Sequence, residues 1–132
     1  MAFLQECHGD EIEMRDLLFH EMAPFEIFTS PCADRSTGGV MTLVRRSFLC
    51  NFDFPQSQPL VDGRVLRVSL MKDGREVVLY NIHNYGLAQH QLADLSHVLA
   101  QDIGTALEVP NELNFGGWGL QLPPQWRILI GS

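Results

Sequence analysis

The 132-residue sequence has little cysteine: Cys7, Cys32 and Cys50 are odd in number and show no Cys-x-x-Cys spacing. That pattern suggests neither a disulfide framework nor a structural zinc site, and leaves three separate reduced thiols as the expectation. No apolar run approaches the roughly 20 residues that span a bilayer, and no basic stretch followed by an apolar segment and a cleavage site opens the chain. The expectation is therefore a soluble, unsecreted, intracellular protein, cytoplasmic or nuclear, with no membrane partner. Positive charge is scarce as well, with nine Lys and Arg against sixteen Asp and Glu, a net charge of -7. A surface that grips many phosphates by charge alone has the opposite balance, so tight non-specific binding of nucleic acid is not expected of this segment. A nuclease that approaches phosphate through a metal cation is not excluded by that balance. Internal repeats and low-complexity tracts are also absent.

What is present suffices for one core, since 45% of the residues are hydrophobic. Met1 to Gln5 reads as a short buried strand. Asp10 and Glu13 form a capping pair ahead of Met14, Leu17, Leu18 and Met22 on one face, which predicts a helix from Glu11 to Met22. Phe25 to Thr29 reads as a strand. A polar loop then leads into Gly38-Gly39, where the backbone can turn sharply into the β-prone run Val40 to Val44. Arg64 to Met71 and Glu76 to His83 are extended runs separated by Lys72-Asp73-Gly74-Arg75, and the Asp-Gly dipeptide predicts an antiparallel hairpin. In the second run Val77, Leu79 and Asn81 alternate with Val78, Tyr80 and Ile82, so both faces are mostly apolar and the strand is central. Leu92, Leu95, Val98, Leu99, Ile103 and Leu107 predict a helix from about Ala88 to Gly104, with Gly104 as its stop. Asn111 to Gln125 reads as a loop and Trp126 to Ile130 as a last strand. The fold class is α/β: a mixed, mainly antiparallel sheet with the two helices on one face.

The chemistry-bearing residues fall where strands end: Gln5-Glu6 with His8, Asn81 with His83, and the terminal Ile128 to Ser132. A carboxylate just past a buried strand lies at the sheet rim, where magnesium can reach it while keeping most of its waters. Each residue also has a plain structural reading. Glu6 could be a solvated strand-end acid, His8 a loop residue, and His83 a core histidine bonded to backbone. Arg45 and Arg46 read as a solvated edge, His20, His90 and His97 lack matched ligand spacing, and Cys7 has no basic cluster that would make a reactive thiolate.

Taken in order, the motifs are more specific. Leu4-Gln5-Glu6-Cys7-His8-Gly9 resembles the Leu-Gln-Glu motif of the endonuclease/exonuclease/phosphatase superfamily, and Gly38-Gly39-Val40 is similar to its Gly-Gly-Val strand. Leu79-Tyr80-Asn81-Ile82-His83 resembles its Asn-x-His strand end, and Trp126 to Ser132 the strand leading into its Asp-x-Asn motif. The resemblance implies that Glu6 is a metal ligand for magnesium, with manganese as the alternative. It also implies that His83 contacts phosphate and acts as an acid near the leaving group, with Asn81 supporting the catalytic site by holding a neighbouring loop or side chain. Leu-Gln-Glu-x-His-Gly further resembles the endonuclease domains of retroelements.

The departures bear on the same reading. Only five residues precede Glu6, too few for the family's early Asn-ending strand, and the Asp-x-Asn motif, a later Asp and the closing Asp-His pair do not occur. The expectation is thus a partial domain over residues 1–132, truncated at both ends, forming half of a four-layered α/β/β/α sandwich and lacking the second sheet and C-terminal half. The implied activity of the complete enzyme is magnesium-dependent phosphodiester hydrolysis with nucleic acid as substrate, this chain alone being inactive or nearly so. The alternatives are a non-catalytic α/β interaction module and a phospholipid or phosphoinositide phosphoesterase.

Overall fold

The structure, a computed structural model, describes residues 1–16, 24–106, 119–121 and 126–131. Along the chain lie β1 (Ala2–Gln5), α1 (Glu11–Asp16), β2 (Phe25–Ser30), β3 (Val40–Arg45), α2 (Arg46–Leu49) and β4 (Asp53–Val61). Then come β5 (Val65–Lys72), β6 (Arg75–Ile82), α3 (Gln89–Ala106), β7 (Gly119–Gln121) and β8 (Trp126–Gly131). One sheet has the order β1-β3-β2 and the other β4-β5-β6-β8-β7. Every pairing is antiparallel except β6 with β8, so the pattern is the mixed, mainly antiparallel α/β one expected.

Side-chain alternation decides the layering. Val40 and Val44 of β3, with Phe3 and Phe28 beside them, pack against Leu66, Val68, Leu70 and Leu79 of the larger sheet. The intervening Met41 and Leu43 face the other way and are covered by Met14 of α1. On the larger sheet Val78 and Tyr80 face outward and receive Val98 and Leu99 of α3. The layers therefore run α1, small sheet, large sheet, α3.

Two expectations are corrected by this arrangement. The helices do not share a face, and the chain forms two sheets packed on each other where a single one was expected. The reason is that β3 and β6 are apolar on both sides, so each needs an inner partner sheet and an outer helix. The continuation of the first helix to Met22, most of the Asn111 to Gln125 loop and Leu107 lie outside the described residues.

Local chemistry accounts for the remaining differences. Strand β4 escapes a pattern search because Pro55 and Pro59 interrupt a largely exposed, polar edge strand whose pairing with β5 is irregular in two places. Arg46 opens the single turn α2 rather than ending an edge, and β7 forms within the stretch read as loop. Helix α3 runs through Gly104 to Ala106. It is fastened to the large sheet by Asp102, which accepts hydrogen bonds from Arg67 Nε at 2.9 Å and from the Tyr80 hydroxyl. Burial, and after it the Asp102 carboxylate, push the Tyr80 hydroxyl well above its ordinary pKa.

The β5–β6 hairpin turns on Asp73 and Gly74, with φ of 49° and 72°, as a two-residue turn with both central residues left-handed. Gly39 also has positive φ, 86°, but for a different reason: a Cβ there would drive into the carbonyl group of Cys7. At Gly74 an added Cβ meets nothing within 4 Å. Urea unfolding is expected to show Gly74→Ala losing about 1 kcal/mol from backbone strain alone. Gly39→Ala should lose at least about 3 kcal/mol, because strain and backbone displacement act together. Equal losses would mean that the Gly39 contact is not a packing constraint.

Candidate functional site

Strand direction gathers the sequence-predicted residues at one rim. Gln5 at the end of β1 pairs with Val40 at the start of β3, and Val65 at the start of β5 pairs with Ile82 at the end of β6. The residues just outside these pairs are Glu6, Gly38 and Gly39, Arg64 and His83. Strand β8 runs parallel to β6 with Gly131 opposite Asn81, so its C-terminal end reaches the same rim.

A buried amide bracket joins the sheets beneath it. Asn81, fully buried, donates from Nδ2 to the carbonyls of Leu4 at 3.1 Å and Met41 at 2.9 Å, both on the small sheet. Gln5 Nε2 donates back to Ile82 O at 2.7 Å and to Asn81 Oδ1 at 3.3 Å. With the Gln5 nitrogen so engaged, its Oε1 faces His83 Nδ1 at 3.2 Å, and because a carbonyl oxygen only accepts, Nδ1 carries the proton. His83 is thereby held with Nε2 toward Glu6.

Glu6 sits at the centre. Its backbone is left-handed, with φ of 56°, a conformation that costs a non-glycine residue about 1–3 kcal/mol and concentrates at functional sites. One carboxylate oxygen accepts from His8 Nε2 at 2.9 Å and from the Gly38 N–H at 3.1 Å. The other lies 3.3 Å from Arg64 and 2.6 Å from His83 Nε2. The His83 approach is close but off the N–H axis, so Nε2 is buried without a hydrogen bond of its own. The contact is thus a close approach and not a formed hydrogen bond, and it is an ion pair only when the ring is protonated.

The hydrogen bond from His8 and then that from Gly38 lower the Glu6 pKa from an ordinary 4.5 to about 2, with smaller help from the charges of His83 and Arg64. Glu6 is thus ionised at any physiological pH, with its side chain 44% exposed. Next to it, burial and then the Glu6 charge push the Cys7 thiol up, away from reactivity.

All three predicted site residues, Glu6, Asn81 and His83, meet at the rim, Asn81 as a buried brace and the other two in contact. His8, read as a loop residue, is drawn in by a tight turn in which its N–H donates to the Glu6 carbonyl at 3.0 Å. Arg64 was missed altogether. Its one sequence signal is its place just ahead of a strand that pairs with the His83 strand. Arg45 and Arg46 take no part; Arg46 stands 3.7 Å from Glu26 instead.

Among the described residues no three of His, Cys, Asp and Glu stand close enough to hold a metal as a group. At the rim Glu6 offers an exposed, ionised carboxylate, and a single carboxylate meets the minimum for magnesium when phosphate oxygens and water supply the other ligands. No helix among the described residues is long and apolar enough to cross a membrane. No protein-family model and no curated protein matches the chain.

Because the folded pKa of Glu6 lies below the unfolded one, its charge contributes stability above pH 4.5 that is lost as pH falls toward 2. Glu6→Gln is expected to flatten the acid limb of stability over that window. A carbon-detected NMR titration should place the Glu6 carboxyl near 2 in the wild type and higher in His8→Ala. An unchanged value in His8→Ala would remove His8 as the principal partner.

Proposed function

We propose that this chain carries part of a magnesium-dependent phosphodiesterase site of the endonuclease/exonuclease/phosphatase kind, with nucleic acid as the substrate class. The observation that supports it best is the meeting of Glu6 and His83, from different sheets, at 2.6 Å on a rim where another strand end arrives. On this reading Glu6 holds magnesium, or manganese in its place. When bound, the ion supplies positive charge that polarises a phosphate.

The chain's own residues then have separate tasks. Arg64 and His83 place two nitrogen donors beside the carboxylate, and a phosphate entering the rim would take these donors from Glu6. With Nδ1 held by Gln5, a proton on His83 Nε2 is the one aimed at a leaving oxygen. Asn81 and Gln5 touch no substrate; they fix the ring. The end of β8 lies opposite Asn81 at the same rim, where the family resemblance expects the strand that leads into its Asp-x-Asn motif. A phospholipid or phosphoinositide would be recognised by the same phosphate chemistry.

A specific observation also favours a non-catalytic reading. Both oxygens of Glu6 already have partners, so the cluster could serve only to clasp the two sheets. Calorimetric titration of magnesium and manganese into the wild type and Glu6→Ala separates the two, with far-UV circular dichroism to establish that both are folded. Weak binding that is lost in Glu6→Ala is expected. Identical titrations for the two proteins would assign Glu6 to the clasp and withdraw the phosphodiesterase reading.

A further inference from the structure

Tyr85 is 76% exposed, yet it stands immediately beyond the rim residues. Its ring centre lies 6.2 Å from that of His83, with the planes tilted by 45°, so the two rings do not stack and a face of Tyr85 is open to solvent. The ring belongs to a turn in which the Leu87 N–H donates to Asn84 O at 3.3 Å. In the same turn Gly86 has a φ of +77° and lies over Arg64, where a Cβ would stand 3.8 Å from a guanidinium nitrogen. An aromatic face is thus presented beside two phosphate-competent donors, Arg64 and His83, each with a side chain only 16% exposed.

Other large exposed apolar residues lack this setting. Phe54 lies on β4 near Met71, at the end of the large sheet opposite the rim, and Ile12 is on α1. Single exposed hydrophobes need no explanation by themselves. What marks Tyr85 is the combination of an open ring with the Arg64 guanidinium and the His83 imidazole close by, and a cation beside an aromatic ring is the pairing by which proteins hold single-stranded nucleic acid.

Resting on the phosphodiesterase reading, we infer that Tyr85 is a stacking platform for the base next to the phosphate held at Arg64 and His83. The ligand class is single-stranded or locally unstacked nucleic acid. In a duplex the flanking base is covered by its neighbours, so a ring this close to the phosphate contact can meet it only once the base leaves the stack.

The test is fluorescence anisotropy of a labelled thymidine octamer, its abasic counterpart and the octamer in duplex form, titrated with the full chain at low salt. Tyr85→Ala is expected to bind the octamer about tenfold more weakly than the wild type. Tyr85→Phe should keep the wild-type affinity, and wild-type binding of the abasic strand should match that of Tyr85→Ala for the octamer. The duplex should bind more weakly than the single strand. Equal octamer affinity for the wild type and Tyr85→Ala would overturn the platform while leaving the phosphodiesterase reading in place. Failure of the wild type to bind either strand would overturn both. Preference for anionic phospholipid vesicles in a sedimentation arm would overturn the nucleic-acid assignment and favour a lipid phosphodiester.

Discussion

The arrangement of the rim depends on one buried side chain. Asn81 belongs to the large sheet, but its amide spends its hydrogen atoms on carbonyls of the small one. Two sheets packed face to face through aliphatic side chains can slide by fractions of a residue, since dispersion is not directional. Directional bonds between buried groups are, and an unpaired buried carbonyl costs about 1–3 kcal/mol. The amide therefore locks the register between β1, β3 and β6, and with it the distance from Glu6 to His83. Gln5 extends the lock outward by orienting the imidazole. A polar residue at an inward-facing position of an apolar strand is costly unless every bond is made, and here all are.

At the surface end of the bracket the logic changes from packing to charge. Glu6 is held in a left-handed conformation and encircled by His8, Gly38, Arg64 and His83, which stabilise its ionised form. Such a cluster suits either a clasp or a ligand site, because the same donors that neutralise a carboxylate will also neutralise a phosphate. The exposure of Glu6 separates the tasks in part: a group added only to bind two sheets gains most when shielded from water, and exposed ion pairs contribute little.

Much of the fold could be read from the sequence because its strands are strongly apolar or strongly punctuated. The Asp73-Gly74 turn, the two-faced strand Arg75–Ile82 and the stripe Leu95, Val98 and Leu99 all left clear periodicities. The division into two sheets did not, since alternation reports that a face is buried and not what buries it. Strand Asp53–Val61 was hidden because its pairing rests on backbone bonds to β5, while its side chains remain in water and two are prolines. In the candidate site, the places of Glu6 and His83 at a rim and of Asn81 beneath it were legible because each stands at or just past the end of a readable strand. Arg64 was not, because its position follows from a strand register that only the assembled sheet defines.

The acidic balance of the chain now has a local meaning. Asp10 and Glu13 face Arg35 at 3.2 and 2.5 Å, and Glu76 and Asp102 surround Arg67. Those carboxylates are engaged within their own neighbourhoods, on the surface beside α1 and on the outer face of the large sheet. At the rim itself the balance differs: one carboxylate meets the guanidinium of Arg64, two imidazoles and a backbone N–H. Net charge governs long-range approach, which an ionic medium screens within about 10 Å. Charge balance at contact is decided by the few groups that touch, and at the rim the groups touching Glu6 are concentrated where the strand ends meet.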